Sequence, residues 1–129
     1  MTVEDLLAAA RRRLDRLDPA RAREAIARGA LLIDIRSESQ RERDGTVPGS
    51  VFVPRNVLEW RCDPASAHRD PRIDGHAHQL IVMCDEGYQS SLAAATLHDL
   101  GLSTGTDLAG GFQAWRGAGL PVQAYRADT

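Results

Sequence analysis

Lysine is absent from the 129-residue sequence, and all 16 basic residues are arginines. A Schiff-base or amine mechanism through lysine is thereby excluded, and biased genome composition accounts for the preference without a functional cause. Cysteine is scarce, with Cys62 and Cys84 alone. They could form one bridge at most, and a reducing compartment disfavours even that. No apolar run approaches the length of a membrane span, and "MTVEDLLAAARRR" places its basic cluster after its apolar residues, the reverse of a secretory signal. A cytoplasmic protein without a membrane partner is expected. The formal net charge of −2 supplies no global basic field, so nucleic acid is not an expected partner either.

What is present suits a globular domain: 43% hydrophobic and 26% charged residues, in a chain long enough to bury a core without disulfide or metal staples. Leu6, Ala10, Leu14 and Leu17 form an apolar stripe among Arg11, Arg12, Arg13 and Arg16, which predicts an amphipathic helix over about 4–17. Asp18 then offers an N-cap, Pro19 a first helical position and Gly29 a stop, before a buried-strand run from Leu31 to Ile35. A Pro48-Gly49 turn precedes a strand at Val51 to Val53 and a short helix from about Pro54 to Trp60. The stretch from Arg61 to His78 lacks periodicity and reads as a loop. Leu80 to Met83 is a strand, Ser90 to Leu100 a helix, "TDLAGG" a short final strand and "FQAWRGAGLPV" a short closing helix. Helices alternating with strands indicate an α/β class.

Cys84 stands where the third of these strands ends and a helix follows, the edge at which open α/β sheets bind ligands. The six residues Cys84 to Gln89, with Gly87 among them, can curl so that backbone N–H groups face the sulfur, a nest that stabilises an anion. A thiolate is the attacking form of cysteine, and the same amides would hold a persulfide. A buried, inert cysteine ending a strand is the plainer alternative.

Four stretches, "LLIDIR", "GTVPGS", "CDEGYQS" and "GGFQAWRGAGLPV", stand in an order and spacing that resemble the single-domain rhodaneses, a sulfurtransferase family. The resemblance spans about 18–122 and implies one domain over 1–129, a three-layer fold with a five-stranded parallel sheet flanked by helices, and Cys84 as the persulfide-forming nucleophile. It makes Asp85, Glu86, Gly87, Tyr88, Gln89 and Ser90 the substrate loop, and Asp34 and Arg36 a mainly structural pair. Gly110, Gly111, Trp115, Gly119 and Pro121 match its closing motif, and Thr46 stands where the family commonly has histidine. It implies a small sulfane sulfur donor, a thiol, cyanide or protein acceptor, and no metal or organic cofactor. Related phosphatases and arsenate reductases have a loop one residue longer, closed by arginine. Six residues followed by Ser90 argue against phosphatase activity.

The loop's charges depart from the family pattern. Many rhodaneses that use thiosulfate carry arginine after the cysteine and again at the loop's end, where this chain has Asp85 and Gln89, with Glu86 between. Two carboxylates oppose a dianion, so a persulfide is the expected donor in preference to thiosulfate. A rhodanese-fold module that binds a partner or senses redox state without turnover is the alternative, since fold does not imply activity.

Arg55 and Arg61 follow the second strand and are candidate pocket residues, each with a solvated surface role as its bland alternative. Cys62, in the polar stretch, reads as an incidental exposed thiol in preference to a resolving one. His76 and His78 form an H-x-H pair without a further ligand at zinc spacing. Tyr88 must cover the pocket or face solvent, and Ser90 or Ser91 can cap the following helix.

Overall fold

The computed structural model describes residues 1–74 and 79–127, with the side chain of Asp74 set aside. His76 and His78 lie outside the described residues. Helix α1 spans Val3–Arg12, held at its start by a capping box between Thr2 and Asp5. It stops short of the expected residue 17. Helix α2, Pro19–Ala27, begins with Asp18 as cap and proline in its first turn, and strand β1 is Leu31–Asp34. Helix α3, Glu38–Asp44, has no counterpart in the sequence reading, although Ser37 and Gln40 form a capping box at its start. Strand β2, Val51–Phe52, leads into a 3-10 turn, Arg55–Val57, and helix α4, Leu58–Cys62. Helix α5, Pro71–Asp74, lies inside the segment expected to be loop. Strand β3, Leu80–Met83, helix α6, Gln89–Asp99, strand β4, Thr106–Asp107, and helix α7, Gly111–Gly117, complete the chain.

The sheet is parallel, in the order β2-β1-β3-β4, with Leu31 beside Leu80 and Asp34 beside Met83. Among the described residues it has four strands, where five were expected. The place of a fifth is taken by Leu17 alone, bridged in parallel to Leu108. Its N–H donates to the Asp107 carbonyl at 3.1 Å and its carbonyl accepts from Ala109 at 2.8 Å. The pairing cannot lengthen, because Asp18 already caps α2 and Pro19 has no N–H to give.

Both faces of the sheet are covered, as the uninterrupted burial of β1 and β3 requires. Leu31, Ile33, Leu80 and Val82 pack with Leu58, Ala93, Ala94 and Leu97 from α4 and α6. Leu32, Ile81 and Met83 point the other way, toward Ala22 of α2 and Phe112 and Trp115 of α7. The side-chain period of two along a strand produces the three layers directly. Helix α1 lies against α6, outside this sandwich.

Between β1 and α3 sits a buried ion cluster. The Arg36 guanidinium donates to both Asp34 carboxylate oxygens, at 3.1 and 2.9 Å, and to the Gly45 carbonyl at 2.8 Å. Arg41 adds a contact to Asp34 at 3.3 Å. Arg36 also lies 3.8 Å above the Phe112 ring, so the pair fixes the turn after β1 to α7 on the neighbouring layer. Thr46, at the position where the family commonly has histidine, is buried and exchanges backbone hydrogen bonds with Gln123.

Cys62 corrects an expectation. It is buried in the core at the end of α4, because the helix carries through Arg61 into the segment that composition alone marks as loop. Burial pushes its thiol up to about 12, with the nearby Glu59 and Asp70 charges acting in the same direction.

Two outcomes follow from this packing. Arg36→Met leaves the buried Asp34 carboxylate without its bidentate partner and should cost about 3–5 kcal/mol in a denaturant titration; a loss below about 1 kcal/mol would mean that the pair behaves like a surface contact. Because a raised thiol pKa keeps the sulfur protonated up to high pH, iodoacetamide at pH 8 should leave Cys62 unmodified in the native protein and modify it once the chain is unfolded, read by peptide mass mapping.

Candidate active site

Strand β3 delivers Cys84 to the floor of an open cavity of about 690 Å³. The walls come from the end of β1 and the start of α3 (Ile35, Arg36, Gln40), from Phe52, Pro54 and Arg55 after β2, and from the loop itself. Cys84 is 7% exposed. Its Sγ accepts the backbone N–H of Gly87 at 3.1 Å and of Ser90 at 3.4 Å. Ser90 is in the first turn of α6, so the helix's free N-terminal amides contribute one of the two donors.

The loop keeps this shape because its carbonyls are held on the outside. At the start of α7, Phe112 N–H donates to the Cys84 carbonyl at 2.9 Å and Gln113 N–H to the Asp85 carbonyl at 3.1 Å. On the other flank, Arg11 and Arg16 each donate an Nη2–H to the Gly87 carbonyl at 2.9 Å. Two glycines permit the approach. Gly87 has φ +89°, and a Cβ there would stand 2.7 Å from Gly110 N. Gly111 has φ +62°, and a Cβ there would stand 2.5 Å from the Cys84 carbonyl oxygen. The closing glycine pair therefore has a task at the loop as well as in the frame.

A second layer braces the loop from beneath. Asp107, fully buried, accepts from Ser90 Oγ and Ser91 Oγ, both at 2.8 Å, and from Arg16 Nε at 2.9 Å. Arg11 Nε donates to Ser91 Oγ at 3.1 Å.

The two loop carboxylates take different positions. Asp85 is half-buried and turns toward α7, where Gln113 Nε2 donates to it and to Asp44, each at 3.0 Å. Arg43 beside Asp44, helped by Gln113 and Arg116, holds the Asp44 carboxyl below the usual carboxylate range despite desolvation. Glu86, Tyr88 and Gln89 are exposed at the cavity mouth. Tyr88 is 61% exposed and lies under the Arg11 guanidinium, 5.7 Å from the ring centre.

Of the two candidate pocket arginines, Arg55 lines the cavity, its Nη1 donating to both Glu59 oxygens at 3.0 Å. Arg61 does not line it and donates instead to the His68 carbonyl at 2.9 Å. Asp34 is behind the wall as partner of Arg36, a lining residue whose side chain is buried. Arg11, Arg16, Ser91 in its bracing role and Asp107 were missed by the sequence reading. Arg11 and Arg16 are 76 and 71 residues from Gly87 in the chain, and nothing local signals the contact. Among the described residues, no group of three or more His, Cys, Asp or Glu side chains is arranged to hold a metal ion, and no helix is long and apolar enough to cross a membrane.

The chain is similar to several known proteins. A thiosulfate sulfurtransferase of Pseudomonas syringae is 31% identical over 101 residues, covering 78% of this chain and 86% of the relative. A sulfurtransferase of Allochromatium vinosum is 29% identical over 94 residues, covering 73% of this chain and 78% of the relative. Among solved structures, a protein of unknown function from Rhodopseudomonas palustris, described as a possible tyrosine phosphatase, superposes with a TM-score of 0.86 at 33% identity over 95% of both chains. A Pseudomonas aeruginosa thiosulfate sulfurtransferase superposes at 0.71 and 21% identity, over 88% of this chain and 20% of that one, which supports the fold alone. The model of the rhodanese-like domain matches residues 18–118, and the chain belongs to that family.

Proposed function

We propose that the protein is a sulfurtransferase that carries sulfane sulfur as a persulfide on Cys84. The observation that carries this reading is the Cys84 sulfur on the cavity floor, receiving two backbone N–H groups at 3.1 and 3.4 Å. The thiolate is the form of cysteine that attacks, and converging backbone amides of this kind are suited to an anion. The sulfurtransferase names of the relatives from Pseudomonas syringae and Allochromatium vinosum point the same way.

In the first half-reaction the Cys84 thiolate attacks the outer sulfur of a donor. The donor's S–S bond breaks, its electron pair leaves with the remainder as sulfite or a thiolate, and Cys84 holds the transferred sulfur as a persulfide. In the second, an acceptor thiolate or cyanide attacks that outer sulfur, the Cys84–S bond breaks, and the Cys84 thiolate returns. Cys62 takes no part as a resolving thiol, since it is buried and protonated.

The donor is a low-molecular-weight or protein persulfide in preference to thiosulfate. Support comes from the mouth of the cavity, where Glu86 and Gln89 are exposed and no loop arginine is present to meet a dianion. Arg55, the cation on the opposite wall, is already paired with Glu59. A tyrosine phosphatase activity, which the description of the Rhodopseudomonas palustris neighbour gives only as possible, lacks a phosphate-gripping arginine in this loop, whose six residues run directly into Ser90.

Intact mass spectrometry after incubation with thiosulfate, and separately with glutathione persulfide, tests the reading. A gain of one sulfur atom is expected with the persulfide, absent in Cys84→Ser and removed by a thiol acceptor. No gain with either donor would assign the domain to binding or redox sensing. For donor choice, Gln89→Arg should raise thiosulfate:cyanide turnover several-fold, since one added charge near the path of a dianion contributes about 1 kcal/mol or more. Strong wild-type turnover with thiosulfate would end the preference argument.

A further inference from the structure

Helix α1 and the segment after it precede the family match, which begins at residue 18, yet they touch the Cys84 loop at a point where its shape is decided. Arg11 and Arg16 converge on a single acceptor, the Gly87 carbonyl, both at 2.9 Å. The peptide is planar, and among the described residues no peptide bond is cis. Holding the Gly87 oxygen therefore fixes the whole Gly87–Tyr88 peptide, which lies between the Gly87 N–H and the Ser90 N–H that donate to the sulfur. The same logic applies where α7 holds the carbonyls of Cys84 and Asp85, but there the donors are neutral amides.

We propose that Arg11 and Arg16 are positioning residues for the Cys84 loop: together they fix the Gly87–Tyr88 peptide, which lies between the Gly87 and Ser90 N–H groups that donate to the sulfur, and they supply from outside the family segment the positive charge that the loop's own sequence lacks. The proposal rests on Cys84 being the reactive sulfur. Two further contacts make this more than helix packing. Arg11 also donates to Ser91 Oγ at 3.1 Å, and Arg16 to both oxygens of the buried Asp107, at 2.9 and 3.2 Å. Each arginine thus ties the loop carbonyl to the base of α6 or to β4.

The charges around the sulfur come from every neighbouring element. Asp85 and Glu86 belong to the loop, Arg36 and Glu38 to the turn after β1 and the start of α3, and Arg55 with its partner Glu59 to the segment after β2. Asp107 lies beneath, bonded to Ser90 and Ser91, and Arg11 and Arg16 lie outside. Asp107 and Arg16 form one pair, and Glu59 offsets Arg55. Arg11 has no carboxylate partner among the described contacts, and its charge acts on the loop directly.

The test is the pH dependence of the rate at which iodoacetamide modifies Cys84 in the full chain. Arg11→Met should move the midpoint up by about half a pH unit, the scale of one partly exposed charge acting on an anion at a helix start, and Arg11→Lys should restore part of that shift. Arg13→Met is the control, because Arg13 is on the same helix but pairs with the exposed Asp99. It should leave the midpoint in place. Arg16→Met should give a larger shift; if removing the Asp107 partner unfolds the chain by circular dichroism, the Arg11 series decides. Equal midpoints for Arg11→Met, Arg13→Met and wild type, with all three folded, would overturn the proposal. Sulfur loading, measured by intact mass on the same samples, separates the two readings. A wild type that takes up no sulfur sinks the sulfurtransferase reading while the midpoints still report the clamp, whereas normal loading with equal midpoints sinks the clamp alone.

Discussion

A loop can present several N–H groups to one sulfur only if the matching carbonyls face elsewhere and are satisfied there. Each peptide unit is rigid, so an amide pointing in means an oxygen pointing out, and a buried oxygen without a donor costs as much as a lost hydrogen bond. Around Cys84 the peptides immediately before and after the Glu86–Gly87 unit, whose N–H donates to the sulfur, are held by their carbonyls. Helix α7 begins where it does because its first free amides meet the carbonyls of Cys84 and Asp85. Arg11 and Arg16 meet the Gly87 carbonyl, which lies beyond the reach of α7. Asp107 then fixes the serines at the base of α6, and with them the Ser90 N–H that donates to the sulfur.

The glycines follow from the same constraint. Backbone is brought against backbone at Gly87 and Gly110, and again at Gly111 and Cys84, at distances that leave no room for a Cβ. The positive φ at Gly87 and Gly111 is open to glycine at little cost and to other residues at a penalty. Alanine at either position would both strain the backbone and separate α7 from the loop. The buried pair Asp34–Arg36 acts one layer further out: by stacking on Phe112 it fixes the helix whose start holds the loop.

Much of this was legible in the sequence and some was not, for reasons that are physical. Strand β3 reads correctly because four consecutive apolar residues bounded by a polar loop have few alternatives, and α2 because Asp18 and Pro19 mark its start. Cys84, its loop and the glycine pair are local patterns. Helix α3 was missed because it is almost wholly polar, ESQRERD, and owes its stability to a capping box and to burial of Arg41 rather than to an apolar stripe. Cys62 was misplaced because α4 runs two residues past Trp60, into a stretch whose composition reads as loop. The stripe from Leu6 to Leu17 has helical spacing throughout, but Leu17 leaves the helix for the sheet edge, where two backbone hydrogen bonds to β4 and its neighbour outweigh the continuation of an exposed helix. Arg11 and Arg16 could not be found from periodicity, because on a helical wheel they are simply the polar side.

That last displacement bears on the puzzle of an acidic loop around Cys84. If the helix had continued to residue 17, Arg16 would have stayed on its solvent face. Ending α1 at Arg12 lets the chain turn under the sheet edge, and the turn delivers Arg16 to Asp107 and Gly87 while Arg11 reaches the same carbonyl from the last turn of the helix. Asp85 is meanwhile drawn toward Gln113, away from the cavity mouth. Cations behind the loop stabilise a thiolate or a persulfide through the backbone, whereas a cation inside the loop would also attract any small dianion to the mouth. The positive charge behind the loop and the exposed Glu86 and Gln89 at the cavity mouth thus stand on separate sides of Cys84.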